Sequence, residues 1–110
     1  MASASVQNVT EADFEKEVIQ HPGIVVVDFY TDWCPPCKAM APVLDAIGAE
    51  RKGSVKIVKV NAEENMELAT EHEVQGVPTF VLYRDGKPVS RTSGFQPKAR
   101  FEQWIESAAK

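Results

Sequence analysis

The chain has 110 residues, 44% hydrophobic and 25% charged, with a formal net charge of −4. That size and balance describe one ordinary globular domain, which on folding should bury roughly 60 to 70% of the surface of the unfolded chain. The basic residues are scattered, with no run longer than Arg51-Lys52, which excludes a phosphate-binding footprint for nucleic acid, and the longest apolar run is too short to span a membrane.

The opening stretch, MASASVQNVT, has no basic start and no apolar core. It does not read as a secretory signal, so the expected compartment is the cytoplasm. Residues 1–5 are expected to form a flexible tail on a single domain covering 1–110. Thr10 to Asp13 reads as a helix start, with a hydroxyl cap and an acid three residues on. Phe14 and Val18 share a face of that helix, and Pro22-Gly23 ends it. Ile24 to Tyr30, IVVVDFY, is a short β-branched run of the kind buried on both faces of a sheet. After the cysteines, Met40, Val43, Leu44 and Ile47 fall on one helical face, and Gly53 is the stop. Val55 to Val60 is a second strand. Asn61 to Glu73 is acidic and reads as a helix, with Met66 and Ala69 on one side. Pro78 to Tyr83 is a strand, Asp85-Gly86 a hairpin turn, and Pro88 to Gly94 the returning strand. From Lys98 an amphipathic helix carries Phe101, Trp104, Ile105 and Ala108 on its apolar face. Alternating strands and helices imply parallel pairing with helices on both faces of the sheet, and the hairpin adds an antiparallel edge.

The stretch WCPPC, residues 33 to 37, carries the chemistry. Cys34 and Cys37 could be a redox couple, half of a metal site or a local staple. A chain of this size has a core without a disulfide, and a loop this short restricts the unfolded chain little, which weakens the staple. A structural zinc site needs four ligands, and His21 and His72 lack the spacing to complete one. Both histidines read as solvated surface residues. A strand feeding a helix puts Cys34 near a helix N-terminus, where unpaired N–H groups and the macrodipole favour a thiolate. Cys34 can then attack a disulfide, and Cys37, returning on the same turn, can resolve the product.

The segment VVDFYTDWCPPCKAMAPVL resembles the active-site segment of the thioredoxins. The supporting motifs are the Asp-Phe-Tyr before the cysteines, W-C-x-x-C-K, Pro42 in the helix that follows, Gly76-Val77-Pro78-Thr79, and a hairpin ending in Gly94. The likeness runs from about Val9 to Ala108. It implies the thioredoxin fold: three-layer α/β/α, with a central mixed five-stranded sheet flanked by four helices. It also implies a small thiol–disulfide oxidoreductase that reduces protein disulfides, is re-reduced by a thioredoxin reductase, binds no cofactor or metal, and works as a monomer without nucleic acid or membrane. By the same resemblance Cys34 attacks and Cys37 resolves, Trp33 shields the site, Asp28 is the buried acid with Lys59 as its neighbour, and Pro78 is a cis-proline facing the cysteines. The other readings of the fold are a disulfide oxidase or isomerase, and a noncatalytic binding module.

These residues also have physical readings of their own. Asp28 interrupts a run of Val and Phe, so burial should raise its pKa, which suits a general base for Cys37. Lys59 alternates with apolar neighbours and could simply snorkel from its strand. Trp33 reads as a partly exposed lid. Val77, beside Pro78, would offer free backbone groups to an extended substrate. Gly76 and Gly94 are expected at close approaches or positive φ. The commonest thioredoxins carry Gly-Pro between the cysteines, whereas this chain has Pro35-Pro36, and Tyr30 stands where many have tryptophan. Pro35 has no N–H to offer a thiolate, and Pro36 restricts it away from helical geometry, while both fit a helix start.

Overall fold

The computed structural model describes residues 5–110. The proposed tail therefore falls outside the described residues except at Ser5, which lies against the second helix: a Cβ added at Gly48 would meet the Ser5 carbonyl oxygen at 2.6 Å. In chain order the elements are β1 (Val6–Asn8), α1 (Glu11–Phe14) continuing into a π-helical turn (Glu15–Ile19), β2 (Ile24–Tyr30), α2 (Pro35–Glu50), β3 (Val55–Asn61), α3 (Met66–Glu71), β4 (Thr79–Arg84), β5 (Lys87–Ser93) and α4 (Lys98–Ala109). The 5-stranded sheet has the order β1-β3-β2-β4-β5. β1 and β2 run parallel to β3, and β4 runs antiparallel to β2 and β5.

β2 sits at the centre because its side chains are apolar on both faces. Val25, Val27 and Phe29 pack with Phe14, Val18 and Leu68, so α1 and α3 cover one face. Val26 packs with Met40, Leu44, Ile47, Phe101 and Ile105, so α2 and α4 cover the other. Asp28 follows the parity of Val26, and Lys59 that of Ile57, which places both on the α2 face. At the opposite edge, β5 is mostly exposed and carries Lys87, Pro88 and Arg91, residues that discourage pairing with another chain.

Several local features differ from the sequence reading. Thr10 stands at the N-cap, but its hydroxyl donates to the Asp13 carboxylate rather than receiving a backbone N–H. The Glu11 N–H goes to Asn65 Oδ1 instead, and Glu11 Oε2 receives the Leu68 N–H, so α1 and α3 fasten each other's first turns. The helix expected over Asn61 to Glu73 is confined to Met66–Glu71. Asn61 Oδ1 takes the N–H groups of Glu63 and Glu64, giving that backbone a turn in place of a helix. Its inward face carries Leu68 and Ala69, and Met66 points to solvent.

The Asp85-Gly86 turn has positive φ at both residues, 51° and 83°, the geometry of a two-residue hairpin. Asp85 is anchored through Oδ1 to the Gly23 N–H at 2.7 Å, and a Cβ on Gly86 would collide with the Ile19 carbonyl oxygen. Gly86→Ala therefore combines left-handed strain with a backbone clash, and should lower unfolding free energy by about 1–3 kcal/mol. A urea denaturation midpoint unchanged from the parent would refute this.

Candidate active site

β2 delivers the chain to the site and α2 leaves from it. Cys34 is the N-cap of α2, with extended backbone (φ −92°, ψ 110°). Pro35 and Pro36 both lie in the first helical turn. Pro35 is helical despite the steric restriction that Pro36 places on it, and neither missing N–H costs a helical hydrogen bond in that turn. The helix also continues through Pro42. Cys34 and Cys37 are joined in a disulfide, with Cα atoms 5.2 Å apart. The Cys37 N–H, the first amide after the two prolines, donates to Cys34 Sγ at 3.2 Å. The Lys38 N–H closes the turn on the Cys34 carbonyl at 3.1 Å. The two prolines thus remove two donors and leave one directed at the Cys34 sulfur, where negative charge would develop on reduction.

Both cysteines are buried, so exposure does not distinguish them. The surroundings do. Cys34 lines an open groove of about 830 Å³ with Trp33, Pro35, Pro36 and Val77, and Cys37 does not. Trp33 is 65% exposed on the rim. Cys34 Sγ lies 3.6 Å from the Val77 carbonyl oxygen; a disulfide sulfur has no proton, so this is a contact, which a reduced thiol could turn into a hydrogen bond. The Val77–Pro78 peptide bond is cis and Pro78 is buried. The Val77 N–H has no partner among the described residues, while the Pro78 carbonyl receives the Gly94 N–H at 2.9 Å. Gly94 has positive φ, 83°. Gly76 shows neither positive φ nor a crowded Cβ direction, so the expectation for it fails.

Asp28 is 1% exposed, and neither carboxylate oxygen has a hydrogen-bond partner among the described residues. Burial pushes its pKa up to about 7, against a smaller lowering by the Lys59 charge. Lys59 is its register partner on β3, but the Lys59 ammonium sits 4.5 Å from the centroid of the Tyr30 ring. The Tyr30 ring face thus takes up the Lys59 cation, whose charge still acts on Asp28 but is outweighed by burial.

Sequence reasoning missed three supports of the site. Thr31 lines the groove, and its buried hydroxyl has no partner among the described residues. Arg91 of β5 donates to the carbonyls of His72 and Glu73, at 2.8 and 3.2 Å, pinning the segment that leads to Val77. His72 is no solvated residue. It is half-buried, with ring centroids 5.3 Å from Phe14 and 5.0 Å from Phe29, and Nε2 lies 2.6 Å from the Tyr83 hydroxyl. A polar helical stretch hid it, since its aromatic neighbours come from α1, β2 and β4.

The thioredoxin family model matches residues 5–107. Thioredoxins of Staphylococcus aureus strains Mu50, MW2 and N315 are each 38% identical over 102 residues, spanning 93% of this chain and 96% of theirs. Similarity across nearly the whole length, on a chain whose C-x-x-C cysteines are joined at the head of a helix, settles the kinship: the chain belongs to the thioredoxin family and is a thiol–disulfide oxidoreductase.

Proposed function

We propose that the protein works as a cytoplasmic monomer that reduces disulfides in other proteins, and that a thioredoxin reductase returns it to the dithiol form. The observation that carries this reading is the asymmetry of the pair: Cys34 opens on the groove and Cys37 does not. The Cys34 thiolate attacks one substrate sulfur, forming a mixed disulfide, and the other substrate sulfur leaves as a thiolate and takes up a proton. Cys37 then gives its proton to Asp28 and attacks Cys34 Sγ, expelling the second substrate thiolate. Two electrons pass to the substrate, and the Cys34–Cys37 disulfide is the oxidised product. The sulfurs hold those electrons themselves, so no metal or other cofactor enters the cycle. Trp33, Pro35 and Pro36 form the contact face, and an extended substrate segment pairs with the Val77 backbone beside Pro78 and Gly94. No helix among the described residues is long and apolar enough to cross a membrane, and a dithiol reductant is kept charged only in a reducing compartment.

Equilibration with a glutathione or dithiol buffer tests the direction of electron flow. The expected reduction potential is more negative than about −240 mV, within or below the biochemical range of the cytosolic glutathione pool. A value near or above about −180 mV would instead describe an oxidase or isomerase. No Cys34–Cys37 disulfide at any poise would leave only a binding module.

A further inference from the structure

We propose that the groove beside Cys34 selects substrates in which an apolar side chain and a lysine or arginine follow the attacked cysteine, a proposal that rests on the protein-disulfide reductase reading above. The groove has an apolar lip and an acidic continuation. Trp33 is 65% and Met66 69% exposed, and both line it. Large apolar side chains left in water at the mouth of a groove mark a contact surface. No lysine or arginine lines this groove, whereas Glu63 does. Beyond Met66 and Thr70, a neighbouring hollow adds Glu67 and Glu71. None of these three carboxylates is in an ion pair among the described residues, whose salt bridges use Glu17, Glu50, Glu102 and Glu106. Arg91, which lines a hollow with Glu71, donates to the backbone carbonyls of His72 and Glu73.

Unpaired carboxylates of one sign along a groove add their fields and raise the local concentration of cations. A second, uncharged feature points to an occupant in the same place. Thr31 lines the groove, and its buried hydroxyl finds no partner among the described residues. A peptide segment leaving the mixed disulfide supplies what each part lacks: an apolar side chain between Trp33 and Met66, a backbone group within reach of Thr31, and a cationic side chain toward Glu63, Glu67 and Glu71. An acidic segment would bring like charges together and be rejected.

The test uses disulfide-linked dimers of one synthetic peptide, with the same apolar residue after the cysteine and then Lys, Gln or Glu. Pre-reduced protein is mixed with each dimer under single-turnover conditions. The Lys dimer should react about tenfold faster than the Glu dimer at low salt, with the Gln dimer between them. The spread should collapse at about 0.5 M salt and in the Glu63→Gln/Glu67→Gln/Glu71→Gln variant. The ratio between peptides is the readout, with a urea midpoint confirming that the variant folds. Glu106→Gln, on the other face of the sheet, should keep the order. Equal rates for the Lys and Glu dimers, or an order that survives the triple substitution, would overturn the proposal. If the Gln dimer is reduced but no order appears, selection fails alone; if no dimer is reduced, the reductase reading fails with it.

Discussion

Cys34→Ser should drop disulfide turnover by roughly a thousandfold or more, to the background rate, as expected when a nucleophile is removed. Cys37→Ser should behave differently. Cys34 still attacks, one substrate sulfur still leaves, and the cycle then stops, because serine cannot resolve the mixed disulfide. The variant should accumulate a covalent one-to-one complex with a disulfide substrate, visible on a nonreducing gel and lost on adding dithiothreitol. This asymmetry follows from geometry: Cys34 faces the groove and receives the Cys37 N–H at 3.2 Å, while Cys37 lines no part of the groove. Trapping by Cys34→Ser in place of Cys37→Ser would reverse the roles. Full turnover by Cys34→Ser would remove Cys34 as the nucleophile, and partner capture without turnover in the parent protein would favour a clasp.

Much of this was legible in the chain because the signals were local. The run Ile24 to Tyr30 named its own burial, and the spacing of Met40, Leu44 and Ile47 named the face of α2. Cys34 at a strand-to-helix junction was readable for the same reason. What stayed hidden depended on partners distant in sequence. β1 is three residues, VQN, with only Val6 buried, so no alternation announced it. The strand exists because β3 offers an open parallel edge. Met66 falls at the right spacing for a buried face, but Asn61 diverts the backbone into a turn and the short helix begins with Met66 outside. The roles of Tyr30, Arg91 and His72 likewise need the sheet assembled before their contacts exist. The prolines at 35 and 36 looked contradictory as helix formers, and the contradiction disappears once Cys34 is seen to be the cap.

Asp28→Asn should slow the protein and stabilise it, and the two effects should separate with pH. In the cycle proposed above Asp28 accepts the Cys37 proton, so its loss should cut the resolving step about a hundredfold near pH 8. The parent's resolving rate should also fall as pH drops below about 7, where Asp28 becomes protonated, and the variant should lack that inflection. Stability moves the other way. The folded pKa of about 7 lies above the ordinary value of 3.8, so between these values the folded chain holds a proton that the unfolded chain has released. Stability of the parent therefore declines as pH rises through that window and levels off above it. From pH 5 to pH 8 the loss attributable to Asp28 is about 2–3 kcal/mol, and the variant escapes it. Urea unfolding of both proteins at the two pH values isolates this difference and cancels any fixed penalty for burying the amide that the substitution introduces. A constant gap between the two proteins across that range would show that Asp28 ionises normally in the fold, and would remove it as a base for Cys37. A gap that widens with pH, beside a flattened rate profile, would mean that one buried carboxylate sets both the cost of folding and the speed of release.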